Sequence, residues 1–224
     1  MSNRLRFNLL TFAIVLLFIT AVIRTTQAQT VLLSTTINNG GFESGATGWN
    51  VINGNGAGQT NKWYVGTTSI CSGVEAAFIG TSSTTNTYDN TSSSVVHLYR
   101  DIVFPVNESQ ITLSFDLKCQ GESSYDYVQV FIIPTTTLPV AGTQLTTGRV
   151  GNQYYNLQPS CTNYTITLPA SFAGTTQRLV FTWRNDGILG SNPPATLDNV
   201  TIVTQLPQRP NCATLTTPAN ANSG

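Results

Sequence analysis

The sequence predicts an all-β protein of two packed antiparallel sheets, and three observations carry that expectation. Apolar Ile111, Leu113, Phe115 and Leu117 alternate with Thr112, Ser114, Asp116 and Lys118, so one face of a strand is dry and the other wet. Similar short runs recur at 95–104, 126–133, 163–168, 177–183 and 196–203, separated by Gly, Pro, Asn and Ser clusters. No helical stripe of useful length interrupts them. Many short strands with turn signals between them fit a sandwich of the jelly-roll or immunoglobulin-like class.

The first 28 residues read as an export signal rather than as structure. Arg4 and Arg6 give the basic start, Leu9 to Ile23 form an apolar run shorter than a bilayer needs, and Thr-Gln-Ala precedes Gln29. Cleavage after Ala28 is expected, and no cysteine follows to take a lipid. Without Arg4, Arg6 and Arg24 the chain keeps seven basic against ten acidic residues, a net charge of −3. So small a charge offers no footprint for nucleic acid or anionic lipid, and insertion into a membrane is not expected after the signal is removed. A secreted or cell-surface location follows.

Residues 29–205 make one sandwich domain by length. Within it, Gly80–Ser94 and Gly142–Ser160 read as long loops, the second carrying Tyr154 and Tyr155. The tail 206–224 shifts to Pro207-Gln208-Arg209-Pro210 and ends without a finished element, as a linker entering a further module would.

Cys71, Cys119, Cys161 and Cys212 contain no Cys-x-x-Cys pair, so disulfides are expected rather than a thiolate metal site. One bridge is expected among the first three. Strand-end placement favours Cys119 with Cys161, leaving Cys71 buried or unpaired.

Asp198 shares strand parity with Val200 and Ile202 and is expected to point inward, where a lone carboxylate is costly. A hard cation would satisfy it. Glu43, in the Gly-rich opening segment with Gly41, is the natural second contributor to a structural Ca²⁺, and capping of backbone N–H groups by Asp198 is the competing account. Trp183 is in phase with Leu179 and Phe181 and belongs to the core. Trp49 and Trp63 lean the same way. Tyr88, Tyr154 and Tyr155, in expected loops, are the candidates for ligand contact.

Catalysis has little to stand on. His97 is the sole histidine, it sits in an apolar strand, and no Gly-x-Ser-x-Gly elbow accompanies it. A carboxylate pair among Glu43, Glu75, Asp116, Glu122 and Asp126 is formally available to glycoside chemistry, but nothing singles out two of them.

Six segments, in order, carry a family resemblance over residues 38–204: Asn39-Gly-Gly-Phe-Glu-Ser-Gly45 with Gly48-Trp49, Asn61-Lys-Trp-Tyr-Val-Gly66, Val96-His-Leu-Tyr-Arg-Asp-Ile102, Ser124-Tyr-Asp-Tyr-Val128, Phe181-Thr-Trp-Arg-Asn-Asp186 and Leu197-Asp-Asn-Val200. In this order they resemble the jelly-roll domains known as cleaved adhesin, choice-of-anchor J or MAM-like, from large secreted bacterial proteins. The opening Phe-Glu and closing Asp-Asn-Val are also similar to the ends of jelly-roll carbohydrate-binding modules, where such residues hold calcium, which again implicates Glu43 and Asp198. The tail from Asn211 resembles the start of a fibronectin type III module. What the resemblance implies is a non-catalytic module for extracellular glycan or protein. A ligand-free spacer, or an accessory domain of a secreted hydrolase, is the alternative.

Overall fold

The computed structural model describes residues 29–54 and 59–207. The expected signal, the fibronectin-like tail from Asn211 and Cys212 all lie outside the described residues. Among the described residues twelve strands form: β1 Gln29–Leu33, β2 Glu43–Ala46, β3 Asn50–Ile52, β4 Lys62–Gly66, β5 Ala76–Gly80, β6 Ser94–Val103, β7 Gln110–Cys119, β8 Tyr127–Pro134, β9 Arg149–Tyr155, β10 Gln158–Leu168, β11 Thr176–Asn185 and β12 Thr196–Gln205. A single 3₁₀ turn, Ala170–Phe172, precedes β11. One sheet runs β10-β7-β12-β5-β4 with β1 also on β12, the other β3-β6-β11-β8-β9, and every strand pairing is antiparallel. The expected all-β sandwich of two antiparallel sheets is therefore what forms.

Alternation decides which faces meet. Ile111, Leu113, Phe115 and Leu117 of β7 face Val128, Val130 and Ile132 of β8 and Leu179, Phe181 and Trp183 of β11 across one continuous core. Each such side chain, moved from water to the interior, contributes about 1.5–3 kcal/mol. β8 departs from simple alternation, with every residue from Tyr127 to Ile133 buried. Its second face is covered as well: Phe131, Ile133 and Val180 make a small outer cluster with Tyr99 and Leu145. The covering segment is the long β8–β9 connection. It is fastened by Arg178 Nη1 to the Thr137 carbonyl at 2.8 Å, by the Gly142 N–H to the Val95 carbonyl at 2.8 Å, and by Gln144 Nε2 to the Tyr127 hydroxyl at 3.1 Å.

The chain's first and last segments do meet. The Val200 N–H donates to the Gly40 carbonyl at 2.8 Å, and a Cβ at Gly40 would lie 2.1 Å from the Val200 oxygen, so only glycine allows this approach. Asn199, next to it, adopts a left-handed φ of 51° within an irregularity of β12 between Asp198 and Thr201.

Two expectations are corrected. Gly142–Ser160 is not a loop throughout, since β9 and the first residues of β10 lie inside it. Neither has a clean alternation of apolar residues, because β9 is an edge strand with mostly exposed side chains. The disulfide joins Cys71 to Cys161, and Cys119 is the free, buried cysteine. Cys119 continues the inward phase of Leu117 and Phe115, so its thiol enters the core. Cys161 falls in the stretch of β10 whose register slips against β7, and it is turned outward. The bridge closes a separation of 90 residues, for which loop-closure entropy gives an upper figure of about 4.6 kcal/mol. Cys71→Ser with Cys161→Ser is expected to lower the unfolding free energy by about 2–5 kcal/mol in urea titrations, and Cys119→Ala to leave the response to reductant intact.

Candidate functional site

Asp198 is fully buried, as its parity requires. Its Oδ2 accepts N–H bonds from Cys71 at 3.2 Å and Ser72 at 3.0 Å, and its Oδ1 accepts from Asn199 at 2.7 Å. Burial raises its pKa above the ordinary carboxylate range, the three N–H donors pull the other way, and the nearby Glu43 charge adds to the rise. Glu43 is exposed and accepts the Val74 N–H with both oxygens at 3.0 Å. Glu43 and Asp198 thus converge on one loop, Cys71–Val74, where backbone donors serve both carboxylates. Gly41 is buried beside Thr35. The capping account of Asp198 is the one these bonds describe.

The tyrosines divide. Tyr88 is 5% exposed, its ring edge-on to Trp183 at 5.3 Å and its hydroxyl donating to Asp126 Oδ2 at 2.6 Å. Tyr155 is 2% exposed, edge-on to Phe115 at 5.5 Å and Tyr164 at 4.9 Å, and its hydroxyl accepts the Asn152 N–H at 3.0 Å. Such burial removes both as ligand contacts; they staple loops to the core. Tyr154, one residue earlier and on the opposite face of β9, is half-buried. Its ring lies 4.4 Å from that of Tyr127, and its hydroxyl accepts from Gln153 Nε2 at 2.8 Å. The three tryptophans are all core.

Around Tyr154 the strand ends gather several loops. Arg184 lies 5.6 Å over the Tyr127 ring and donates to the Tyr125 carbonyl, with the Tyr125 side chain half-exposed. Asn156 Nδ2 donates to the carbonyls of Glu122 at 2.6 Å and Asp126 at 2.9 Å. Gly121 and Ser191 exchange N–H bonds at 3.0 and 3.1 Å, which joins the β7–β8 connection to the β11–β12 connection.

Within this knot, Glu122, Asp126 and Asp186 bring one ligand oxygen each to within 4.8 Å of one another, a group that can hold a metal ion. Asp126 is fully buried, with Tyr88 on Oδ2 and the Asp186 N–H on Oδ1 at 3.1 Å. Burial raises its pKa, and the neighbouring Asp186 and Glu122 charges raise it further. Glu122 Oε2 is buried without a protein partner. Gly190 closes over the group: a Cβ there would lie 2.2 Å from Asp126 Oδ2. In the sequence Glu122 and Asp126 are one loop, but nothing links them to Asp186 until β8 and β11 pair.

His97 and Cys119 are both engaged in the fold. His97 is fully buried beneath the β8–β9 connection, with Nε2 3.1 Å from the Val140 carbonyl and Nδ1 2.9 Å from Thr182 Oγ1. A carbonyl only accepts, so Nε2 carries the proton and Nδ1 accepts the Thr182 hydroxyl. Burial lowers the pKa of His97. Burial also raises the Cys119 thiol well above its ordinary range.

The fold is a β-sandwich with the acidic trio, Tyr154 and Arg184 gathered at one end. No family model matches the chain, and no curated protein matches it. Among solved structures it is similar to a xylan-binding domain, CBM22-1 of Paenibacillus barcinonensis Xyn10C, at 14% identity over 82% of this chain and 100% of that one, with a TM-score of 0.48. It is also similar to TmCBM61 in complex with β-1,4-galactotriose, at 12% identity over 77% and 97% with a TM-score of 0.44. A cyclase from Fischerella sp. TAU matches at 14% over 81% and 100%, with a TM-score of 0.49. Likenesses this distant, two to sugar-binding modules and one to an enzyme, decide nothing about what this chain binds.

A buried base whose folded pKa is depressed leaves the unfolded chain to take up more protons below about pH 6.5. His97 is therefore expected to cost stability as pH falls from 7 towards 5, and to cost nothing above that window. Urea titrations across it should show a fall that His97→Gln diminishes, measured as the difference between the two proteins.

Proposed function

We propose that this chain is a non-catalytic module, acting outside the cell, that recognises glycan at the corner built by Tyr154, Tyr125 and Arg184. The observation that carries the reading is the half-exposed Tyr154 ring, held by Tyr127 behind it and by Gln153 at its hydroxyl. A ring so fixed presents a π-face for the C–H side of a pyranose at little entropic cost. Gln153, Arg184 and the nearby acidic groups supply the hydrogen-bonding rim that hydroxyls need.

Several features support the exterior setting. The Cys71–Cys161 disulfide fits an oxidising compartment. No helix among the described residues is long and apolar enough to cross a membrane.

A divalent cation, Ca²⁺ by the hardness of its donors, belongs in this reading with Glu122, Asp126 and Asp186 rather than with Glu43, Gly41 and Asp198. Three carboxylates share the first place, one oxygen there has no partner, and no basic side chain is bonded to any of them. At the second place, backbone N–H groups already serve both carboxylates.

On a glycan array the folded protein is expected to give a defined set of ligands, and Tyr154→Ala to weaken them about tenfold, the equivalent of ~1.4 kcal/mol. A folded protein with no glycan ligand, or one indifferent to Tyr154→Ala, would leave the spacer reading in its place. Chelator is expected to lower the melting temperature, and Asp186→Asn to remove that response. Persistence of the chelator effect in Asp186→Asn with its loss in Glu43→Gln would return the ion to the first and last segments.

A further inference from the structure

Arg100 lies on the inner face of β6, in phase with the core residues Leu98 and Ile102. An inward guanidinium needs a partner or an opening, and it has the second. β3 covers the edge of β6 from His97 only as far as Tyr99. Beyond that point the seam between the two sheets widens into a cavity of about 360 Å³, walled by Val31, Leu32 and Asn38 on one side and by Arg100, Ile102 and Val103 on the other.

The charge of Arg100 is unbalanced there. Its Nη1 donates to the Asn38 carbonyl, and its guanidinium sits 5.3 Å over the Trp49 ring. The Nε is buried with no acceptor, and among the described residues no carboxylate comes within ion-pair distance. Asp101 also borders the cavity, but its carboxylate is held by Arg178, at 2.7 Å from Nε and 3.0 Å from Nη2. Burial lowers the pKa of Arg100, with no counter-charge to offset it. Its guanidinium also packs on Gly48, where a Cβ would lie 2.8 Å from Nη2, so the head group cannot swing away on that side.

We propose that this seam is an anion site in which Arg100 receives the carboxylate of an acidic sugar residue. The planar guanidinium matches a carboxylate in geometry as well as charge. The volume lies within the range of small-molecule sites and suits a single ring. Val31, Leu32, Ile102 and Val103 give aliphatic walls for the C–H surface of that ring, while Asn38 and Arg100 form the polar end. Arg100 is five residues along β6 from Val95, the partner of Arg184, which puts the seam about 17 Å from the Tyr154 corner. The site is separate from that corner and does not depend on it.

The test follows the arginine Nε–H signals of the protein by ¹H–¹⁵N NMR during titration with galacturonate oligomers, neutral galactose oligomers, sulfate and a short Glu-rich peptide. Galacturonate is expected to move the Arg100 signal saturably and less so as salt is added. Arg100→Met, which removes that signal, is expected to bind galacturonate at least tenfold more weakly when the same titration is followed by calorimetry. Because Arg100→Met also removes packing on Trp49, Val103→Trp serves as the second variant: it fills the seam from an exposed position, keeps Arg100, and is expected to abolish the shift as well. Tyr154→Ala is expected to leave it unchanged, so the two sites fail independently. No saturable shift with galacturonate, an equal shift with neutral oligomers, or a response confined to sulfate or peptide would overturn the proposal.

Discussion

The buried carboxylate of Asp198 is the point from which the rest of the sandwich is arranged. It enters the core at the start of β12, the strand that β7 flanks on one side and β5 and β1 share on the other. A charge in that position is tolerable only with donors supplied on the spot. Two come from Cys71 and Ser72 of a loop between β4 and β5, and a third comes from Asn199, whose left-handed backbone turns its own N–H onto the carboxylate. The same loop is held by Glu43 at Val74 and by the disulfide at Cys71. One short segment therefore joins the opening of the domain, its last strand and β10, and no single pair of neighbouring strands could make that connection.

The fold was readable wherever a strand carries a clear alternation or a continuous apolar run. β6, β7, β8, β10, β11 and β12 each contain a stretch whose alternation or apolar content stands out, and their central residues fall where the pattern puts them. β1 to β5 are short, and β9 is an exposed edge, so their pairing is dictated by neighbours rather than by their own composition. The disulfide shows the limit from the other side. Extending the Ile111–Leu117 phase by two residues places Cys119 inward and excludes it, but the outward turn of Cys161 comes from a register slip that composition does not announce.

The site was legible only in pieces. Asp198 pointing inward follows from parity, yet Tyr154, Tyr155 and Tyr88, all placed in expected loops, could not be told apart without knowing where β9 begins and where Asp126 lies. The trio of Glu122, Asp126 and Asp186 depends on the antiparallel pairing of β8 with β11, in which Tyr127 meets Arg184. That register sets Asp126 and Asp186 side by side just past the paired ends. Any shift of one residue would separate them and turn every β8 side chain to the other face.

Coverage of the outer face of the five-stranded sheet bears on where the proposed recognition would occur. The β8–β9 connection lies across His97, Thr182, Phe131, Ile133 and Val180; its Val140 carbonyl accepts from His97, to which Thr182 donates in turn, and its Thr137 carbonyl accepts from Arg178. With β8 and the middle of β11 dry on both faces, the two places considered lie at the rim of this sheet: the corner at one end of β8 and β11, and the seam at the end of β6. The two rims differ in how they meet charge. At the corner, three carboxylates crowd together, and burial raises the pKa of one of them, Asp126, an arrangement that suits a cation. At the seam, a guanidinium stands among aliphatic side chains with one carbonyl and one ring for company, which calls for an anion. Asp198 needed neither, because backbone N–H groups reached it first; the contrast lies in whether local main chain can turn its donors or acceptors onto the buried charge.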